Sequence, residues 1–130
     1  MEYIGEISDR EKSSFLSGAV ALLAPIAWPE PFGLVLIEAM ACGTPVIAFN
    51  RGSVPEIVED GVTGFVVEDE KEAVAATHRL SRLSRSAIRQ RFEERFTARR
   101  MAREYLVVYR SLIEFLASHS RVAVARASLR

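Results

Sequence analysis

The sequence predicts an α/β fold with about four short parallel strands and a helical C-terminal region. Three observations predict it. Short apolar runs alternate with helical patterns from residue 1 to about residue 67. Such alternation is the mark of strand–helix–strand units with parallel strands. Glycine and proline punctuate the runs at the places where one element must stop. From Glu70 onward the strands cease and apolar residues recur at helical spacing only.

Each element has a local cause. Glu2 to Gly5 reads as a short strand. Ser8 with Glu11 three residues later forms a capping box, which opens a helix running to about Ser17. Val20 to Ala24 is continuously apolar between Gly18 and Pro25, as expected for a strand covered on both faces. Pro25, Pro29 and Pro31 stiffen the loop that follows. Gly33 to Cys42 reads as a helix stopped by Gly43. Pro45 to Phe49 is a second buried strand, and Asn50 to Val54 a loop. Pro55 starts a helical turn over Glu56 to Glu59. Asp60-Gly61 and Thr63-Gly64 turn the chain into the strand Phe65 to Val67. Helices are expected over 70–83, 86–96 and 99–118, the last capped by Thr97. In that helix Met101, Tyr105, Val108, Leu112 and Phe115 make one apolar stripe, as in a helix packed against a core. The expected division is 1–118 as a partial ligand-binding domain and 119–130 as a flexible tail.

Composition narrows the classes. The chain has 130 residues, 49% apolar and 26% charged, which suits one globular domain. No apolar run reaches the roughly 20 residues of a membrane span. The single cysteine, Cys42, forms no internal disulfide, and cytoplasmic location is the expectation. Charge is split. Residues 1–77 carry 4 Lys or Arg against 13 Asp or Glu, and residues 78–130 carry 13 Arg against 4 Glu. A basic helical surface of this kind meets anionic lipid or an acidic partner, or it balances the acidic half within one fold. Nucleic acid is not expected as a partner.

The chemistry concentrates in Trp28-Pro29-Glu30-Pro31-Phe32-Gly33-Leu34-Val35-Leu36-Ile37-Glu38. Parallel sheets open onto a ligand crevice at the carboxyl ends of their strands. The helix expected from Gly33 begins there, with unpaired N–H groups and a partial positive charge suited to phosphate. Gly33 lacks a side chain and lets a phosphate come close. Glu30 precedes the helix. Glu38 lies about 7 to 8 Å along the axis and leans back toward its start. A carboxylate accepts two hydroxyl hydrogen bonds. Glu38 can therefore hold a vicinal diol such as a ribose, and Glu30 the hydroxyls of a second sugar.

Glu30 and Glu38, with seven residues between them, resemble the Glu-x7-Glu signature of glycosyltransferase family 4. The likeness extends through Glu38-Ala-Met-Ala-Cys-Gly-Thr-Pro-Val-Ile47, Arg51-Gly-Ser-Val-Pro-Glu-Ile-Val58 and Asp60-Gly-Val-Thr-Gly-Phe65, and covers about residues 1–116. The resemblance implies the C-terminal, donor-binding half of a retaining GT-B enzyme, a Rossmann-like fold whose donor is a nucleotide-diphosphate sugar and which needs no metal or cofactor. By position it makes Glu30 the catalytic candidate, contacting donor-sugar hydroxyls. Phe32, Gly33 and Leu34 would offer backbone N–H groups to sugar and diphosphate, and Glu38 would bind the ribose. Gly52 and Ser53 either shape the sugar side of the pocket or only make a turn.

The family's acceptor domain, and the early βα units carrying an Arg/Lys pair for the diphosphate, have no counterpart in this sequence. The chain alone is therefore expected to be inactive and to associate with itself or with an upstream glycosyltransferase chain. Peripheral membrane contact is a further expectation. The alternative is a non-catalytic module that binds nucleotide or completes another chain.

Overall fold

The computed structural model describes the backbone of residues 2–127, with side chains through residue 117 and at residue 119. It divides into two compact units, Met1–Arg95 and Phe96–Arg130.

The first unit is a three-stranded parallel sheet with helices. In chain order it comprises α1 (Asp9–Gly18), β1 (Leu22–Ala24), α2 (Leu34–Ala41), β2 (Val46–Phe49), α3 (Val54–Ile57), β3 (Gly64–Val67), α4 (Glu70–Thr77) and α5 (Arg85–Arg95). Strand order is β1-β2-β3, with Leu22 opposite Val46 and Val46 opposite Gly64. β2 is central and Val46, Ile47 and Ala48 are buried, which explains its unbroken apolar sequence. Ile47, Phe65 and Val67 pack with Ala76 and Ala73 of α4. Successive residues of a strand face opposite ways, so Val46 and Ala48 look to the other face. α2 packs on β1 and β2 and against α5. Leu36 and Met40 of α2 and Ile88 of α5 are fully buried.

The expected strand at Glu2–Gly5 does not form, leaving three strands among the described residues where about four were expected. Tyr3 is 94% exposed and Ile4 52%. No described strand lies alongside this segment, and an unpaired strand leaves its amides and carbonyls to solvent. The helix expected over 70–83 ends at Thr77, and Leu80–Arg82 form a 3-10 turn. The bend brings Leu80 and Leu83 onto the Ile47–Phe65 cluster and the Arg79 guanidinium 4.2 Å from the centre of the Phe65 ring. Tertiary burial overrides local helical preference there.

Several local readings hold. Glu11's carboxylate accepts from the Ser8 amide at 3.3 Å and from the Ser8 hydroxyl at the head of α1. Gly43 takes φ +68° after α2, donates to the Met40 carbonyl, and would drive a Cβ to 2.7 Å from the Arg85 carbonyl oxygen.

The second unit contains α6 (Ala98–Ala127), begun by Thr97, whose side-chain oxygen accepts from the Arg100 amide at 3.3 Å. Met101, Tyr105, Val108, Leu112 and Phe115 are each more than half exposed. The expected tail from residue 119 falls mostly outside the described side chains, and residues 128–130 lie wholly outside the described residues. Among the described residues no helix is long and apolar enough to cross a membrane.

Candidate functional site

The segment after β1 carries the candidate site. Ala24 is buried at the carboxyl end of the strand, and the proline-stiffened loop runs from there to Gly33. Gly33 takes φ +72° and ψ 42° as the residue before α2. This left-handed geometry is cheap only for glycine. The missing Cβ would lie 2.9 Å from Ile57 Cδ1, 3.0 Å from Leu36 Cδ1 and 3.2 Å from Ser53 Oγ. Glycine is therefore required on the protein side of the turn, by φ and by packing.

Glu30 folds back onto the turn it precedes. Its Oε1 accepts from the Gly33 amide at 3.0 Å and from the Phe32 amide at 3.4 Å. A helix start leaves its first amides without intrahelical acceptors, and a carboxylate satisfies them while meeting the positive end of the dipole. The turn thus holds an anionic group, supplied by its own chain. Trp28, Phe32 and Leu34 around it are 62%, 59% and 62% exposed.

Gly52 and Ser53 meet this turn from the other side. The Ser53 amide donates to the Glu30 carbonyl at 2.8 Å. Gly52 has φ +54°, and a Cβ there would collide with the Glu30 carbonyl oxygen and lie 2.8 Å from the Pro29 carbonyl carbon.

Glu38 is engaged separately. Its Oε1 accepts from Lys12 Nζ of α1 at 3.0 Å, and Lys12 also lies 3.2 Å from Asp9. The hydrogen bond from Lys12 to Glu38, with a smaller one to Asp9, raises the lysine above its ordinary pKa. Both side chains of the Lys12–Glu38 pair are a little over one-third exposed. They line a hollow of about 300 Å³ with Ser13, Cys42 and Arg89. Among the described residues no hydrogen bond or ion pair joins the Glu38 side chain to Glu30 or to the turn. Arg51, the nearest cation in sequence to Gly52, faces Glu68 at 3.3 Å. Among the described residues no group of three or more His, Cys, Asp or Glu is placed to hold a metal ion.

The protein-family comparison decides what this arrangement belongs to. Residues 1–99 match the model described as glycosyl transferases group 1. This chain belongs to that family. Among curated relatives, the group 1 chain is 34% identical over 115 residues to an uncharacterized 41.2 kDa protein in the cps region of Klebsiella pneumoniae, covering 84% of this chain and 32% of that protein. It is 32% identical over 92 residues to a phosphatidyl-myo-inositol mannosyltransferase of Mycobacterium leprae, covering 71% and 25%. It is 34% identical over 111 residues to an alpha-maltose-1-phosphate synthase of Mycolicibacterium smegmatis, covering 75% and 28%. The chain thus spans a third or less of the length of these relatives. Among solved structures, the sucrose-phosphate synthase of Thermosynechococcus elongatus matches with a TM-score of 0.74 and 33% identity, over 87% of this chain and 30% of that one. The fold is that of a GT-B glycosyltransferase, and a C-terminal portion of such an enzyme fits these matches.

Sequence reasoning missed the arginines that secure this glycosyltransferase fold. Arg85 donates to the Ser17 and Ala19 carbonyls at the end of α1, at 2.7 and 2.8 Å, and to the buried Thr44 hydroxyl. Arg89 donates to the Ala41 carbonyl at the end of α2. Arg95 donates to the Ile57 carbonyl at 3.3 Å and pairs with Glu59 at 2.9 Å. Part of the basic excess of α5 therefore serves the ends of neighbouring helices. Their spacing of four to six residues is the one visible trace, and it names no partner.

Proposed function

We propose that this chain is the donor-binding portion of a retaining glycosyltransferase and that its ligand is a nucleotide-diphosphate sugar. The observation that carries the reading is the Glu30–Gly33 turn, whose amides already hold a carboxylate at the carboxyl end of a parallel strand. In this proposal the diphosphate takes the amides of Phe32, Gly33 and Leu34, and the Glu30 carboxylate turns to the hydroxyls of the donor sugar. Amides aimed at a diphosphate stabilise the charge that builds on it as the glycosidic bond breaks. Glu38 receives the ribose diol, exchanging its exposed ion pair with Lys12 for two hydroxyl donors. Gly52 and Ser53 border the sugar side. No metal or cofactor takes part.

The donor chemistry extends to partners and place. The chain associates with itself or with an upstream glycosyltransferase chain that supplies the acceptor, acts in the cytoplasm, and transfers no sugar alone. Calorimetric titration with UDP-, ADP- and GDP-sugars tests the reading. Saturable binding that Glu38→Ala weakens by about tenfold or more supports it. Binding of none of the three by the wild-type chain contradicts it and leaves the chain a structural module.

A further inference from the structure

We infer that Gly52 and the backbone amide of Ser53 are positioning residues for Glu30, so that the loop after β2 fixes where the Glu30–Gly33 turn sits. The inference uses the reading of Glu30 as a donor-sugar group for its functional consequence only. Its geometry stands by itself.

The loop touches the turn at both ends. At one end the Ser53 amide donates to the Glu30 carbonyl at 2.8 Å, and Gly52 lies so close that a Cβ would strike the Glu30 carbonyl oxygen and amide nitrogen. These are backbone atoms and cannot rotate aside as a flexible side chain can. At the other end Ser53 Oγ and Ile57 Cδ1 crowd the place where a Gly33 Cβ would stand. Ser53 Oγ is itself buried with no hydrogen-bond partner. Its place there is set by the packing of the loop against the turn.

The loop is itself anchored. The Asn50 amide donates to the Val67 carbonyl of β3 at 2.8 Å, and the Asn50 side chain donates to Glu68 at 2.7 Å. Arg51 reaches the same carboxylate. Arg95 of α5 grips the Ile57 and Glu56 carbonyls at the end of α3. Support therefore runs from β3 through residues 50–53 to Glu30. A group that must meet reacting or recognised atoms gains most from such backing, because displacements near 1 Å cost function steeply. Gly52 fixes the Glu30 backbone and so acts through Glu30 rather than on a ligand.

Gly61 supplies a matched control. Its φ is +75°, yet nothing lies within 4 Å of a Cβ built there. Gly61→Ala therefore carries the backbone strain of Gly52→Ala without the collision. The experiment records amide NMR spectra of the full chain as wild type, Gly52→Ala and Gly61→Ala, each with and without Glu30→Gln. Glu30→Gln is expected to move the Phe32 and Gly33 amide resonances in the wild type and in Gly61→Ala, and to leave them unmoved in Gly52→Ala. Equal displacement in all three overturns the inference. Should Gly52→Ala not fold, hydrogen exchange in the wild type decides. A Ser53 amide protected as firmly as those of β2 supports the clamp, and exchange at open-loop rates overturns it. Binding of UDP-, ADP- and GDP-sugars is measured in parallel. If Gly52→Ala uncouples Glu30 from the turn while Glu30→Gln leaves nucleotide-sugar binding unchanged, the clamp stands and the donor-site reading falls.

Discussion

The two acids of the Glu-x7-Glu pair sit in contrasting surroundings. Glu30 is bound to main chain, through the Phe32 and Gly33 amides on its carboxylate and the Ser53 amide on its carbonyl. Glu38 is bound to side chain, through one lysine on a neighbouring helix, in a hollow open to solvent. A main-chain frame moves only if the fold moves. An exposed ion pair contributes little and yields easily to a competitor. The comparison teaches that damage to the turn should cost folding and site together, and damage at Glu38 the site alone.

The largest effect is expected at the turn. Gly33→Ala forces a side chain into a left-handed residue and against Ile57 and Leu36. Strain and overpacking together should destabilise the first unit by about 2 to 4 kcal/mol, read by urea denaturation. An unchanged midpoint would mean that the turn is not the rigid region. Next comes Glu38→Ala. Nucleotide-sugar affinity should fall by about tenfold or more, the loss expected when a hydrogen bond to a charged group is removed, with the denaturation midpoint unmoved. A fall in stability as large as that of Gly33→Ala would erase the contrast.

Smaller still is an effect of pH on the supporting loop. Hydrogen bonds from Asn50, then from Arg51, hold the Glu68 carboxyl below its ordinary value of 4.5. A carboxylate with a lowered folded-state pKa stabilises the fold above its unfolded value and loses that contribution as pH falls through the folded one. Exchange of the Asn50 to Ser53 amides, corrected for its intrinsic pH dependence, should therefore quicken below about pH 4.5. Glu68→Gln should remove that dependence. The smallest change is expected for Lys12→Ala, which should alter nucleotide-sugar affinity within about fivefold, in keeping with an exposed pair.

What the sequence disclosed and what it hid divide along the same line. Features whose cause lies within a few residues were legible. The Ser8–Glu11 cap, the glycine after α2, the proline opening α3 and the buried run of β2 each follow from neighbours in the chain. The spacing of Glu30 and Glu38 was equally visible. Features set by distant partners were hidden. Tyr3 and Ile4 have strand-like character, yet no strand comes to pair with them. Leu80 and Leu83 continue a helical pattern until the Ile47–Phe65 cluster draws them off it. That Ile57, 24 positions later in the chain, also crowds the Cβ position of Gly33 is not visible in the sequence. Lys12 and Glu38 are 26 residues apart, and no local pattern pairs them.

The most direct test of the account follows the Phe32, Gly33 and Leu34 amide resonances of the full chain while UDP-, ADP- or GDP-sugar is added. The account predicts that with the matching donor these three amides shift first and saturate together, as diphosphate replaces the Glu30 carboxylate. Saturable binding that leaves all three in place, and perturbs residues elsewhere, would contradict it.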